Sequence, residues 1–355
     1  MRRRLLAVWV ASVLLSHVSF SLAEDLPKPS GEAIVALDAK LEHLFTRSVK
    51  IEGGLTEGPA VAPDGAIYFS DIPFGQDKGM ILKFDPKTQK TTVFAADSGK
   101  SNGLIFDSEG SLLAAEGADF GGRCIARWDV KTGKKTVLAD RYQGKHFNAP
   151  NDLCVDRQGR IYFTDPKYVG AEPREQEHRS VYRVDRDRSV IEITHDVGKP
   201  NGIAISPDGQ TLYLADHDNG VDRIGSDEKP QPGAMKVYAF PLGADGKVNG
   251  PRKTIVDFGD QAGCDGMTVD EKGNVYLTSR GLKRPGVLVV DPTGKEVAFI
   301  PTGVPNQKPD APVGFPSNVE FGVGDEAHFL YITIDKSLFR IPLKVNGYHV
   351  QYAKK

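Results

Sequence analysis

Cysteine is scarce in this chain, three residues in 355, and none stands beside a His or a second Cys at a zinc-ligand spacing. The odd number leaves at least one thiol unpaired. Cys154 follows Asn151-Asp152 and Cys264 precedes Asp265, positions where a free Cys packs as a small hydrophobe at a strand entrance. Long apolar runs are missing as well. Only Leu5 to Leu15 approaches one, and it falls short of the roughly 20 residues that cross a bilayer. Charge of one sign is also missing. The net charge is −2 with both signs dispersed, so there is no basic stripe to hold nucleic acid and no acidic block. No stretch carries a long helical period, and no Ser/Gly linker divides the chain. No Gly-x-Ser-x-Gly elbow occurs, which argues against a serine nucleophile of that type.

The N-terminus has a basic start at Met1-Arg2-Arg3-Arg4, then the short apolar run, then small residues at Ser21-Leu22-Ala23. That order is the pattern of a secretory leader cleaved after Ala23. Residues 1–23 are therefore expected to leave the mature chain, and 24–355 to form a single domain. The expected destination is the periplasm or the exterior, with no membrane span after cleavage. No Cys follows the small residues, so a lipid anchor is not indicated.

What the chain does have is a repeat. Asp64-Gly65-Ala66-Ile67-Tyr68-Phe69 recurs as Asp107 to Leu113, Asp156 to Phe163, Asp208 to Leu214, Asp270 to Leu277 and a degenerate Gly324 to Ile332. Each copy is a turn followed by a short strand of Val, Ile, Tyr, Phe and Leu. Spacings of roughly 40 to 60 residues between such copies signal a propeller or solenoid. A second turn recurs after a later strand, at Phe84-Asp85-Pro86, Trp128-Asp129, Val184-Asp185 and Val290-Asp291-Pro292. Short strands with turns at matched places in each repeat predict an all-β six-bladed propeller. Residues 26–50 and the segment near Leu338 to Leu343 are expected to complete one blade together. Two polar insertions, Gly170 to Arg179 and Asp218 to Gly233, are expected as rim loops.

Five to seven residues before each turn stands one polar residue: Glu57, Asn102, Asn151, Asn201, Asp265 and Asn318. In a propeller, equivalent positions converge on the central axis. Two acids and four amides are hard oxygen donors and suit calcium better than magnesium, with zinc disfavoured. The same residues also admit a structural role, since Asn and Asp before strands bond to their own backbone.

The motifs resemble the gluconolactonase and senescence-marker-protein (regucalcin-like) family of six-bladed propellers. They are Thr56-Glu57-Gly58-Pro59, Ser101-Asn102-Gly103-Leu104, Phe147 to Asp152, Tyr162 to Pro166, Lys199 to Gly202, Cys264-Asp265-Gly266 and Pro316-Ser317-Asn318. The resemblance covers nearly all of the mature chain. It implies a divalent cation in the central channel, usually calcium, held by Glu57, Asn151, Asn201 and Asp265, with Asp265 also the acid-base or nucleophilic carboxylate. It implies a pocket lined by Asn102 and Asn318, with Asn148 and Asp165 near the substrate or behind it. His146 and His217 lie close in sequence to the site loops and are candidate proton carriers or rim residues. Sugar-lactone members of the regucalcin type carry an Arg two residues before the Asn matched by Asn151; Ala149 stands here, which bears on the substrate more than on the metal. The implied activity is calcium-dependent hydrolysis of a small lactone or ester. The alternative is a non-catalytic propeller that binds a sugar or a protein.

Overall fold

The computed structural model describes residues 26–47, 54–224, 226–227, 229–309 and 313–353; the leader expected over 1–23 lies outside them. Six four-stranded antiparallel sheets account for nearly all of the strands. Blade 1 runs through Leu55–Val61, Ile67–Ile72, Met80–Asp85 and Lys90–Ala95. Blades 2 to 5 repeat that order from innermost strands Ser101–Phe106, Leu153–Val155, Pro200–Ile205 and Cys264–Val269. Blade 6 takes three strands from the C-terminal part, beginning at Pro316–Phe321, and its outermost strand, Glu42–Thr46, from the N-terminal part. The pairing of Glu42–Thr46 with Ser337–Pro342 closes the ring.

The repeated turn explains itself in hydrogen bonds. Asp107 Oδ1 accepts from the N–H groups of Glu109 and Ser111, both at 2.9 Å. Asp156 does the same for Gln158 and Arg160, and Asp270 for Lys272 and Asn274. The carboxylate thus occupies donors the turn would otherwise leave open. The Gly that follows sits at positive φ, for example 78° at Gly110 and 84° at Gly273, where a side chain would be strained. The sequence pattern Asp-x-x-Gly is therefore the chemistry of one hairpin, used repeatedly.

The core follows from strand alternation. Ile67 and Phe69 pack towards blade 6, while Ala66 and Tyr68 pack towards blade 2. Leu112 and Ala114 join the blade 1 side, and Leu113 and Ala115 the blade 3 side. Successive side chains point to opposite faces of a strand, so a strand apolar on both faces fills two interfaces. The buried apolar residues form six clusters, one for each contact between neighbouring blades. Cys154 and Cys264 belong to two of these clusters, and all three thiols are buried and unpaired. No helix among the described residues is long and apolar enough to cross a membrane.

One end of the channel is covered by the C-terminal segment. Tyr348 N–H donates to the Val269 carbonyl, His349 Nε2 meets the Gly322 carbonyl, and Tyr352 O–H donates to that of Val61. We refer to this end as the floor and to the other as the mouth.

Candidate active site

The innermost strands are irregular where the polar residues stand. Pairing with the second strand shifts register between Glu57 and Ala60, Ser101 and Leu104, Pro200 and Ile203, and Cys264 and Met267. A bulge of this kind re-aims a side chain out of the pleat. It accounts for Glu57, Asn102, Asn201 and Asp265 leaving the blade plane for the channel. The glycine after each polar residue has a related cause. A Cβ at Gly58 would lie 2.2 Å from the Asn102 carbonyl oxygen, one at Gly202 2.3 Å from that of Asp265, and one at Gly266 2.1 Å from Asn318 Cγ. In blades 1, 4 and 5 the polar-Gly pair thus seats the next blade's inner strand against it. At Gly202 and Gly266 the requirement is close approach of the neighbouring strand and not a positive φ.

At the mouth is a cavity of about 220 Å³ whose lining includes Glu57, Asn102, Asn151, Asn201, His217 and Asp265. Six of the ten residues proposed from sequence are therefore brought together. The other four lie elsewhere. Asn148 is fully buried behind the loop, its Nδ2 donating to the carbonyls of His178 at 3.1 Å and Asp165 at 3.4 Å. Asp165 receives the N–H groups of Asn148 and Ala149, both at 2.7 Å. These two hold the 148–151 loop in shape and do not line the cavity, because backbone donors already occupy both Asp165 oxygens. His146 sits on the outer ribbon, its Nε2 2.5 Å from Arg141 and its N–H on Glu175. Asn318 faces a cavity of about 70 Å³ towards the floor. There its Oδ1 accepts from Val319 N–H at 2.8 Å and its Nδ2 lies 3.5 Å from Asp152.

Three contributors were not singled out in the sequence. Arg280 forms an ion pair with Asp265 at 3.1 Å and also donates to the Pro316 carbonyl. Tyr168 O–H donates to the His217 carbonyl at 2.9 Å and receives Asn201 Nδ2 at 3.2 Å. Asp152 is buried beneath the site. Arg280 follows the second strand of blade 5 at the register position that Ile72, Gly117 and His217 hold in blades 1, 2 and 4. The residue type differs in each, and Tyr168 belongs to a rim loop, so a search for recurring residues carried no signal for either. Asp152 was legible as the neighbour of Asn151.

The electrostatics are one-sided. Burial, then the charges of Asp265 and Asp152, push the Glu57 carboxyl well above its ordinary range, against the Gly58 N–H and Arg280. Burial pushes Asp152 up to about 7, with the Asp265 charge adding to it and the Leu153 N–H opposing. Like charges close together in a low-dielectric site disfavour joint ionisation. Burial holds His217 below the usual His range despite the pull of Asp265. Its Nδ1 lies 3.1 Å from the Cys264 carbonyl oxygen. A carbonyl only accepts, so Nδ1 carries the proton and neutral His217 keeps a lone pair on Nε2.

The donor set fits a hard cation. Glu57 and Asp265 supply carboxylate oxygen, and Asn151 and Asn201 supply amide oxygen. Asn201 Nδ2 is used by Tyr168, which leaves Oδ1 for a ligand. Among the described residues, no hydrogen bond engages the side chains of Asn102 or Asn151. No group of three or more His, Cys, Asp or Glu gathers among the described residues; the amides make this a mixed set. A divalent charge would offset the mutual repulsion of Glu57, Asp152 and Asp265, adding to what Arg280 and the backbone N–H groups already do.

Comparison with known proteins agrees with this fold. The family model described as SMP-30/Gluconolactonase/LRE-like region matches residues 55–335. A gluconolactonase of Zymomonas mobilis is 28% identical over 312 residues, covering 82% of this chain and 79% of that protein. The lactonohydrolase OryH of Aspergillus oryzae is 36% identical, over 77% of this chain and 72% of its own. A solved gluconolactonase of Xanthomonas campestris superposes with a TM-score of 0.70 at 29% identity, covering 90% of this chain and 96% of that one.

Proposed function

The chain belongs to the SMP-30/gluconolactonase/LRE-like family, and from that premise we propose that it is a lactone hydrolase whose reaction occurs at a divalent cation, calcium by preference, in the channel mouth. The observation that carries this is the convergence of Glu57, Asn151, Asn201 and Asp265, from four different blades, on one cavity. These four residues would hold the ion. When bound, a divalent cation supplies Lewis acidity towards the lactone carbonyl and offsets charge that develops on its oxygen.

The protein's own residues do the rest. Asn102, with its amide unused by other described residues, orients the ring ester. Asp265 lines the cavity and acts as general base towards water or as nucleophile. Arg280 fixes its orientation through the 3.1 Å pair. Neutral His217 can take up a proton at Nε2 and stays uncharged at neutral pH, because burial depresses its pKa. Tyr168 locks the Asn201 amide. The Asn148–Asp165 bonds hold the loop that carries Asn151.

Export forms part of the proposal. The basic, apolar and small-residue order of residues 1–23 supports a secreted or periplasmic enzyme, and N-terminal sequencing of mature protein should begin at Glu24. Activity is tested by following acid release from a lactone panel with the parent protein and Asp265→Asn. Loss of turnover in the variant, with the fold retained, is the expected result. Full activity in the variant would remove Asp265 from the mechanism.

A further inference from the structure

The outer half of the mouth cavity is lined differently from the inner half. Leu55, Ile72, Phe74, Val169 and Ile224 face it. Phe74 and Ile224 are 45% and 51% exposed, and large apolar side chains gathered around one concave opening mark a binding surface. The rim is braced. Arg174 and Arg179 both bind Asp222, linking the two rim loops, and Ile224 N–H donates to the Tyr168 carbonyl at 2.8 Å.

The polar groups around this apolar rim are already engaged. Lys100 Nζ donates to the carbonyls of Pro73 at 2.6 Å and Gly75 at 2.9 Å. Asp119 accepts from Gly75 N–H, and Asn219 Oδ1 from Lys199 Nζ. Tyr168 is held between His217 and Asn201, and Arg280 between Asp265 and Pro316. The groups left open lie deep in the cavity: the amides of Asn102 and Asn151, Asn201 Oδ1 and His217 Nε2. A polyhydroxylated ring needs a partner for each hydroxyl it takes out of water, and each one missing weakens binding.

We propose that the preferred substrate is a lactone bearing an apolar arm, alkyl or aryl, rather than a polyhydroxylated sugar lactone. Its ring ester sits against Asn102 and Asn151, and its arm lies between Phe74 and Ile224. This assignment rests on the lactone-hydrolase reading above.

The test is kcat/KM for lactones with alkyl arms of increasing length, alongside glucono-δ-lactone. The expected result is a rise of up to about fourfold per methylene, carried mainly by KM, until the arm fills the cavity. Paired substitution, Phe74→Ser with Ile224→Asn, should lower the long-arm to short-arm ratio by about tenfold or more. A flat series, or glucono-δ-lactone outperforming every alkyl lactone, would overturn the assignment. The matching alkyl lactams, which carry no ester, separate the two readings by calorimetry. Lactam affinity that climbs with arm length supports the pocket assignment even without turnover, in which case only the hydrolase reading fails. Lactam affinity independent of arm length overturns the assignment.

Discussion

The mouth and the floor of the channel are built from the same repeat yet differ in chemistry. At the mouth, the side chains of Asn102 and Asn151 make no hydrogen bond among the described residues, and Glu57 accepts one, from the N–H of Gly58 at 2.9 Å. At the floor, partners are plentiful. Asn318 is bonded at both ends. Glu320 accepts from Phe321 N–H at 2.7 Å and Thr268 Oγ1 at 3.2 Å, with His349 nearby at 3.8 Å. The C-terminal segment then covers that end. Equivalence within a repeat therefore sets where a residue stands along the channel radius. Its use depends on whether a neighbour satisfies it or leaves it open to a ligand.

That contrast predicts unequal responses to substitution. The largest effect is expected at the mouth. Asp265→Ala should lower kcat/KM by about 10²- to 10⁴-fold, the range for removing a positioned acid-base group, with a circular-dichroism spectrum like that of the parent. Next comes the seam between blades 5 and 6. Gly266→Ala drives a methyl group into Asn318 and should cost about 1–3 kcal/mol in denaturant unfolding, the usual scale for overpacking.

A smaller effect concerns pH. The Glu57 carboxyl is raised by burial and by neighbouring acids, so it holds a proton to higher pH than an ordinary Glu. A cation displaces that proton, so apparent calcium affinity should weaken on acidification, by at most about tenfold per pH unit for the one proton. Calorimetry in buffers of differing ionisation enthalpy should detect proton release. The same carboxyl, with its folded pKa above its unfolded one, favours the cation-free fold at low pH, and that contribution is lost as pH rises through the folded value. Glu57→Gln should flatten both dependences. The smallest effect is expected at the floor. Asn318→Ala removes one buried bonded amide and should cost about 1–3 kcal/mol of stability at most, with a smaller change in KM than Asn102→Ala. An equal change in KM would erase the distinction between the two ends.

Much of this was legible in the sequence for stated reasons. Asp-x-x-Gly, present at three of the six turns, encodes a hairpin whose Asp accepts two backbone donors, and with the shorter Asp-Gly turns at Asp64 and Asp208 and the degenerate Gly324-Asp325 it marked six blades. Residues 26–50 were expected to complete a blade with the segment near Leu338, and Glu42–Thr46 does pair there. The polar residue before each turn was visible because bulges recur at one phase. Whether such a residue faces mouth or floor depends on contacts across blades, and periodicity does not encode these. Asn318 therefore could not be told from Asn102. Asn148 and Asp165 lay near the right loop, but their roles rest on side-chain-to-backbone bonds across 17 residues. Arg280 stands at the register position of His217 but differs from it in residue type, Tyr168 lies in a rim loop, and only the folded chain brings them to Asp265 and Asn201.

The measurement that tests the central claim most directly is the metal content of purified mature protein, before and after chelation, with lactone hydrolysis followed on both samples. We predict one divalent ion per chain, activity lost with the ion and restored by added calcium. A protein that neither contains nor binds a divalent ion, or that hydrolyses lactones equally well after its removal, would contradict a cation held by Glu57, Asn151, Asn201 and Asp265.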